Sequence, residues 1–329
     1  MLRCIRRPCF IVCCNDMLAI RKNISLARRM HYRIGGKARY FAEPRNAQDI
    51  VDVIRWAFGR RVPFLFLGAG TNMLFSEKGY DGLIMQYGVR HIRKEPGGVR
   101  ISAGTSMADA AAYYQSQGLD DLKWAGGLPG TVGGAVFGNA GCFGGEMKDA
   151  VISVESIMYD RQSETVERRT RTFAECAFAY RSSIFKRNGN EIIASVLLRA
   201  TPGDREAVRT EVRRCIAYRE RFQPLDYPSA GSTFKNIPLA SVSATVGKEF
   251  SAVVKHDPFP VIPVAAVLDR LGLKGARIGG AEISEKHPNF FINRNRATFG
   301  DVVGLIALAK EKAFKRYGIV LEEEIRIVP

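Results

Sequence analysis

Apolar residues recur at helical spacing in several parts of the chain. Ile50, Val53, Ile54 and Ala57 form one stripe, with Asn46 and Asp49 as a capping pair, so a helix is predicted over about 46–58. Similar reasoning predicts helices over 107–117 (Ser106 and Asp109 as caps, Gly118 as stop) and 204–221, with Val208, Val212, Cys215 and Ile216 on one face. Two more are predicted over 264–271, behind Pro263, and over 299–317, between Thr298 and Gly318. Apolar or alternating runs predict strands over 64–67, 83–86, 151–159, 165–171, 192–199 and 319–328. On the last, Ile319, Leu321, Ile325 and Ile327 share one face, and Glu322, Glu324 and Arg326 the other. Helices and strands intermix without strict alternation, so the predicted class is α+β. Pro224 and Pro228 mark a linker.

A length of 329 residues suggests about two domains. With 46% hydrophobic and 25% charged residues the chain is not of disordered composition, and no apolar run approaches the roughly 18 residues of a membrane span. The net charge of +16 invites a nucleic-acid reading, but residues 1–39 hold ten Lys/Arg against one acid, Asp16. The remaining excess is ordinary for an enzyme and fits anionic small ligands as well as RNA. Four of the seven cysteines (Cys4, Cys9, Cys13, Cys14) lie in the same stretch, and Cys142, Cys176 and Cys215 are scattered. That usage points to a reducing compartment without a disulfide framework. Residues 1–22 read as a basic, cysteine-containing extension, expected to be disordered.

Two glycine-rich stretches carry the first chemical signal. Gly68-Ala69-Gly70-Thr71-Asn72 begins like a dinucleotide fingerprint but lacks its third glycine and the later acid. The second, Gly126-Gly127-Leu128-Pro129-Gly130-Thr131-Val132-Gly133-Gly134 followed by Asn139-Ala140-Gly141, is too long for one turn. Without Cβ atoms, successive backbone N–H groups can approach an anion such as a pyrophosphate, though glycine also serves tight packing. Ser232 lies in no nucleophile elbow, which argues against hydrolase chemistry. Arg181 offers a forked, permanently charged donor for carboxylate or phosphate, or a surface group. His287 could be a ligand or base, but four histidines in the chain assemble no metal cluster, so no metal is expected.

Taken in order, the motifs resemble one family. They are Tyr32-Arg33-Ile34-Gly35-Gly36, the two glycine stretches, Ala179-Tyr180-Arg181-Ser182-Ser183, Gly231-Ser232-Thr233-Phe234-Lys235-Asn236, Lys286-His287-Pro288-Asn289-Phe290-Phe291-Ile292-Asn293 and Leu321-Glu322-Glu323-Glu324-Ile325-Arg326. From about Asn23 onward the sequence resembles the UDP-N-acetylenolpyruvoylglucosamine reductases, in their shorter second type. The resemblance implies an FAD-binding fold of the vanillyl-alcohol-oxidase (PCMH) type with subdomains at 23–88 and 89–202. A helix and linker would follow at 203–228, then a C-terminal α+β substrate-binding domain at 229–329 whose last strand carries Glu324. It implies non-covalent FAD held by Gly68, Ala69, Gly70, Thr71, Asn72, Gly126, Gly127, Gly130, Thr131, Gly133, Gly134, Asn139, Ala140 and Gly141, with NADPH as co-substrate. The implied reaction reduces a UDP-sugar enolpyruvyl ether to UDP-N-acetylmuramate for peptidoglycan. Arg181 and Glu324 would stabilise an enolate, Glu324 as an acid, while Ser232 donates the proton. Tyr180, Lys235, Asn236, His287 and Arg326 would contact substrate or NADPH.

The resemblance further implies a cytoplasmic monomer without nucleic-acid partners or membrane insertion. Thr71 stands where the family usually has Ser, and between Asn236 and Pro263 the chain is about twenty residues longer than usual. Two other readings are weighed. One is a flavin oxidase of the same fold acting on a sugar or aldonolactone, for which His31 lies outside the Gly68 loop where a tether would sit. The other is a basic nucleic-acid-binding protein, which lacks the aromatic-interleaved basic stripe it would need.

Overall fold

The computed structural model describes residues 19–257 and 259–329. The expectation of a disordered extension therefore falls almost wholly outside the described residues.

The chain opens with β1 (Arg21–Ser25), β2 (Lys37–Ala42), α1 (Ala47–Gly59), β3 (Phe64–Leu67), β4 (Met73–Phe75) and β5 (Tyr80–Gln86). Four of these strands make a sheet in the order β1-β2-β5-β3, with β5 parallel to both neighbours and β1 antiparallel to β2. α1 begins as its cap predicts: Asn46 Oδ1 accepts from the Asp49 N–H at 2.9 Å, and Ile50, Val53, Ile54 and Ala57 are buried.

Next come β6 (Ile92–Glu95), β7 (Gly98–Ser102), α2 (Met107–Gln117), α3 (Val132–Gly138), β8 (Gly141–Cys142), β9 (Gly145–Glu146), α4 (Met147–Ala150), β10 (Val151–Asp160), β11 (Thr165–Thr172), α5 (Ile184–Asn188) and β12 (Glu191–Leu198). The second sheet is antiparallel throughout, in the order β11-β10-β12-β7-β6. Its edge strand β11 is largely exposed and rich in arginine, a charged edge that discourages pairing with other chains. Arg171 on β11 turns inward, where its guanidinium grips the fully buried Glu191 carboxylate through Nη2 at 2.7 Å and Nε at 2.8 and 2.9 Å.

After α6 (Arg205–Phe222), capped by Asp204, the last third holds β13 (Ser229–Ser232), β14 (Ile237–Pro238), α7 (Ala244–Glu249), β15 (Val261–Ile262), α8 (Val264–Arg270), β16 (Arg277–Ile278), β17 (Ala281–Ile283), β18 (Phe290–Asn293), α9 (Phe299–Tyr317) and β19 (Arg326–Val328). The third sheet runs β13-β18-β17-β16, with α9 packed on it. The architecture is α+β.

Two expectations need correction. The strand predicted over 319–328 is reduced to β19, and Glu324 lies in a bend before it. The stretch changes partner here: Glu323 makes one antiparallel bridge with Phe234, in which Glu322 O accepts from the Lys235 N–H at 2.9 Å and the Glu324 N–H donates to Thr233 O at 2.8 Å, and from Arg326 the chain pairs with β4 instead. The second glycine stretch is not all loop, because Val132–Gly138 forms α3, capped by Thr131 Oγ1 on the Gly134 N–H at 3.2 Å. Glycine weakens a helix, but a Cβ on Gly133 would stand 2.7 Å from the Ala103 Cβ.

One apolar core joins α1, α2 and both large sheets; a second gathers the C-terminal elements together with Tyr32, Ile34 and Leu74. A third, beneath the first sheet, includes Phe41, Phe75 and Val328, so β19 is sewn into the start of the chain through its parallel pairing with β4. Among the described residues, no helix is long and apolar enough to cross a membrane.

Candidate active site

A cleft of about 500 Å3 opens beside the Gly68 loop, of a size suited to a small ligand. Gly68, Ala69, Gly104 and Thr131 line it, together with three cations, Arg29, Arg45 and Arg90, and one carboxylate, Glu43. A Cβ on Gly68 would come within 2.8 Å of Thr131 Oγ1, so only glycine keeps the backbone open here. The loop is braced from below: Gln86 Nε2 donates to Gly68 O at 2.8 Å, and Arg29 Nη1 donates to Gln86 Oε1 at 2.9 Å. Arg29 also pairs with Glu43 and lies over the Phe41 ring, 4.5 Å from its centroid. Bare backbone facing clustered arginines fits the pyrophosphate of a dinucleotide such as FAD.

The residues expected to hold a cofactor separate into two groups. Gly68, Ala69 and Thr131 line the cleft, and Gly130 lies against it with the Thr71 hydroxyl 3.1 Å from where its Cβ would be. Gly126, Gly127, Asn139 and Ala140 have contacts within the scaffold. A Cβ on Gly126 would meet Val212 O at 2.5 Å and one on Gly127 would meet Arg219, so these two let α6 approach. Asn139 is fully buried with both ends of its amide engaged, Nδ2 donating to Ala179 O at 3.1 Å and Oδ1 accepting from the Lys148 N–H at 3.0 Å. Ala140 N–H donates to Ala135 O. Arg29, Arg45, Gln86, Tyr87 and Arg90 escape sequence reasoning, because they sit on separate segments that no spacing rule connects.

The Gly68 loop leads directly to the second group of residues. Asn72 Nδ2 donates to Glu324 O at 3.1 Å, and Asn72 O accepts from the Arg326 N–H at 3.0 Å. The Glu324 carboxylate faces Arg181, Oε1 lying 2.8 Å from Nε. That N–H is not aligned on the oxygen, so the contact is an ion pair without a well-formed hydrogen bond. Arg181 Nη2 donates to Gly141 O at 2.9 Å. Both side chains are about four-fifths buried, 20% and 22% exposed, where charges interact more strongly than in water.

Arg181 sits on a tight turn closed by reciprocal hydrogen bonds between Ala179 and Ser182, each 3.0 Å. Its φ of 52° puts it in the left-handed region. Ser183 bolts the turn to α3 by donating to Phe137 O at 2.7 Å. Ser232, half-buried at the end of β13, is brought to the same place: its neighbour Thr233 accepts from the Glu324 N–H. Asn289 locks that segment, with Oδ1 accepting from the Phe234 N–H at 3.0 Å and Nδ2 donating to Phe234 O at 2.8 Å. Arg181, Glu324 and the segment that carries Ser232, distant in sequence, are thus joined by an ion pair and a backbone hydrogen bond.

The expected substrate contacts are distributed unevenly. Tyr180 carries the Arg181 guanidinium on its ring, 5.3 Å from the centroid, and its phenol is pushed above the usual range, first by burial. Lys235 pairs with Glu322 at the rim. Asn236 Oδ1 accepts from the Val264 N–H at 3.2 Å, which occupies it at the start of α8. His287 packs edge-on to Phe290 with a buried Nδ1 that has no hydrogen-bond partner among the described residues; burial, then Lys255, lowers it to about 4, so it is neutral at pH 7. Arg326 lies two residues past Glu324, at the start of β19. Arg326 is exposed, and its charge acts on Tyr80 and Tyr159 of the first two sheets. Lys186, which sequence reasoning passes over, belongs to the site. Its Nζ donates to Arg181 O at 2.9 Å, and burial, then Lys235, pulls it below the usual lysine range.

Comparison with known proteins points the same way. Residues 223–328 match the model of the UDP-N-acetylenolpyruvoylglucosamine reductase C-terminal domain, and residues 38–165 match that of an FAD binding domain. The UDP-N-acetylenolpyruvoylglucosamine reductase of Chloroflexus aggregans is 33% identical, over 94% of this chain and 98% of its own. That of Synechocystis sp. is 34% identical, over 94% of this chain and 90% of its own. The crystal structure of UDP-N-acetylenolpyruvylglucosamine reductase from Thermus caldophilus superposes with a TM-score of 0.74 at 25% identity, covering 95% of this chain and 100% of that one. With relatives at this identity along nearly its whole length, the chain belongs to the UDP-N-acetylenolpyruvoylglucosamine reductase family.

Proposed function

We propose that the protein is an FAD-dependent, NADPH-driven reductase that converts the enolpyruvyl ether of UDP-N-acetylglucosamine to UDP-N-acetylmuramate for peptidoglycan. One observation carries the reading: the Arg181–Glu324 pair, 2.8 Å across, is joined by the Glu324 N–H to Thr233, the residue after Ser232, and by Asn72 to the loop of the dinucleotide cleft. Bound FAD would supply the hydride, taken from NADPH and delivered to the methylene carbon of the substrate.

The chain's own groups would do the rest. The Arg181 fork receives the substrate carboxylate and is already in place when enolate charge spreads onto it, a preorganised contact worth roughly 3 kcal/mol. Glu324, which faces the same guanidinium, would share in stabilising the enolate, the role the family resemblance gives it. Ser232 gives its hydroxyl proton to the carbon next to the carboxylate. A hydroxyl is a weak acid, and an enolate is basic enough to take that proton. Lys186 and Lys235 keep the surroundings positive for an anionic sugar nucleotide. The reading places the protein in the cytoplasm as a monomer, in keeping with the free thiols of Cys142, Cys176 and Cys215.

The test is spectroscopic. Protein loaded with FAD should lose its yellow absorbance on anaerobic addition of NADPH and regain it on addition of the enolpyruvyl sugar nucleotide. Bleaching without recovery would overturn the substrate assignment. Colour that stays with the chain after denaturation would overturn non-covalent binding.

A further inference from the structure

Between Asn236 and Pro263 the chain builds a small module. β14 and β15 pair through Ile237–Ile262 and Pro238–Val261, and Lys255 and Val261 exchange both backbone hydrogen bonds, at 2.9 and 2.8 Å. The module is rooted in the C-terminal core. Phe250 is fully buried, edge-on to Tyr317 at 5.2 Å and beneath the Arg270 guanidinium at 4.4 Å, while Tyr317 Oη donates to Glu249 Oε1 at 3.1 Å.

Beyond the Lys255–Val261 clasp, Phe259 reaches the candidate site. Its ring meets Tyr180 edge to face, centroids 5.0 Å apart and planes at 76°. Tyr180 in turn supports the Arg181 guanidinium, which faces Glu324. Asp257, on the same tip, lies close enough to Lys148 and Cys142 for its charge to act on both, so the tip borders the β8–β9 side as well. Phe259, Tyr180, Arg181 and Glu324 form one file whose two ends belong to the C-terminal third and whose middle belongs to the second sheet's part of the chain. None of the chemistry assigned above uses Phe259.

We propose that Phe259 is a positioning residue for the substrate carboxylate, fixing the Tyr180 ring and through it the direction of the Arg181 fork. This rests on the proposed reaction. The physical reason is that an incoming carboxylate competes with Glu324 for the guanidinium. Of the contacts that aim Arg181, the hydrogen bond to Gly141 O and the face of Tyr180 then remain. A ring wedged against Tyr180 keeps that face from turning, and edge-to-face geometry makes the wedge directional.

The experiment uses FAD-loaded full-length protein and compares wild type with Phe259→Ala, Phe259→Leu and Phe259→Tyr. Phe259→Ala should raise KM for the enolpyruvyl sugar nucleotide about tenfold with little change in kcat. Anaerobic bleaching by NADPH and the melting temperature should stay near wild type. Phe259→Tyr, which keeps the ring, should restore KM, and Phe259→Leu, which keeps only apolar bulk, should not. An unchanged KM in Phe259→Ala, full rescue by Phe259→Leu, or equal loss in both half-reactions would overturn the positioning role while leaving the reaction standing. A wild type that NADPH bleaches and the enolpyruvyl compound does not restore would overturn the reaction, and this role with it.

Discussion

Arg181 occupies backbone space that costs an L side chain about 1–2 kcal/mol, at the turn position where glycine is favoured. The hydrogen bond to Gly141 O and the pair with Glu324 hold its side chain there, and the proposed chemistry gives its neighbours expectations of their own. Ser232→Ala should leave bleaching by NADPH close to wild type and slow recovery with the enolpyruvyl substrate about a hundredfold or more, as loss of a proton donor does. Glu324→Gln should act on the same half-reaction. Equal slowing of both halves, read by stopped-flow absorbance, would remove Ser232 as the donor. His287 makes a different prediction. Its folded value of about 4 lies below the 6.5 of an ordinary histidine, so the unfolded chain binds this proton first as pH falls. Stability should drop between about pH 6.5 and 4, by up to roughly 3 kcal/mol, and His287→Asn should flatten that part of the curve. Urea midpoints at pH 7 and 4.5 would show it.

Elements with local signals are legible in the sequence. α1, α2 and α9 begin at Asn46, Ser106 and Thr298 because each cap accepts from an N–H three residues on, and α2 and α9 stop at Gly118 and Gly318 in left-handed backbone. Where partners are remote, pattern misleads. The stretch 319–325 alternates like a strand, yet its pairing is a single bridge between Glu323 and Phe234, about ninety residues away, and α3 lies in a run of glycines of which Gly133 is required by the close approach of Ala103. β11 shows what one buried charge pair does for an element. Removing Arg171 strands the Glu191 carboxylate, so Arg171→Met should cost about 3–5 kcal/mol in urea unfolding. Adding Glu191→Leu should recover much of that loss, because no unpaired charge remains. A double variant no better than the single one would show that the pair stabilises beyond mutual neutralisation.

At the scale of the molecule, the candidate site exists only because distant segments meet. Arg181 comes from a turn between β11 and β12 of the second sheet, Ser232 from the third, and Glu324 from the bend before β19, whose pairing with β4 returns the chain to its first sheet region. No periodicity reveals such a meeting; the family resemblance named the residues and the fold supplied their geometry. Asn72 makes the seam, with its backbone at the end of the Gly68 loop and its amide on Glu324 O. Dinucleotide and sugar nucleotide should therefore be thermodynamically linked, each raising the protein's affinity for the other by one common factor. Calorimetric titrations with and without FAD should measure that factor, and Asn72→Ala should bring it toward unity. Reciprocity then has a practical corollary. Protein purified without its sugar nucleotide should shed its yellow colour fastest, and a saturating dose of that ligand should slow the fading.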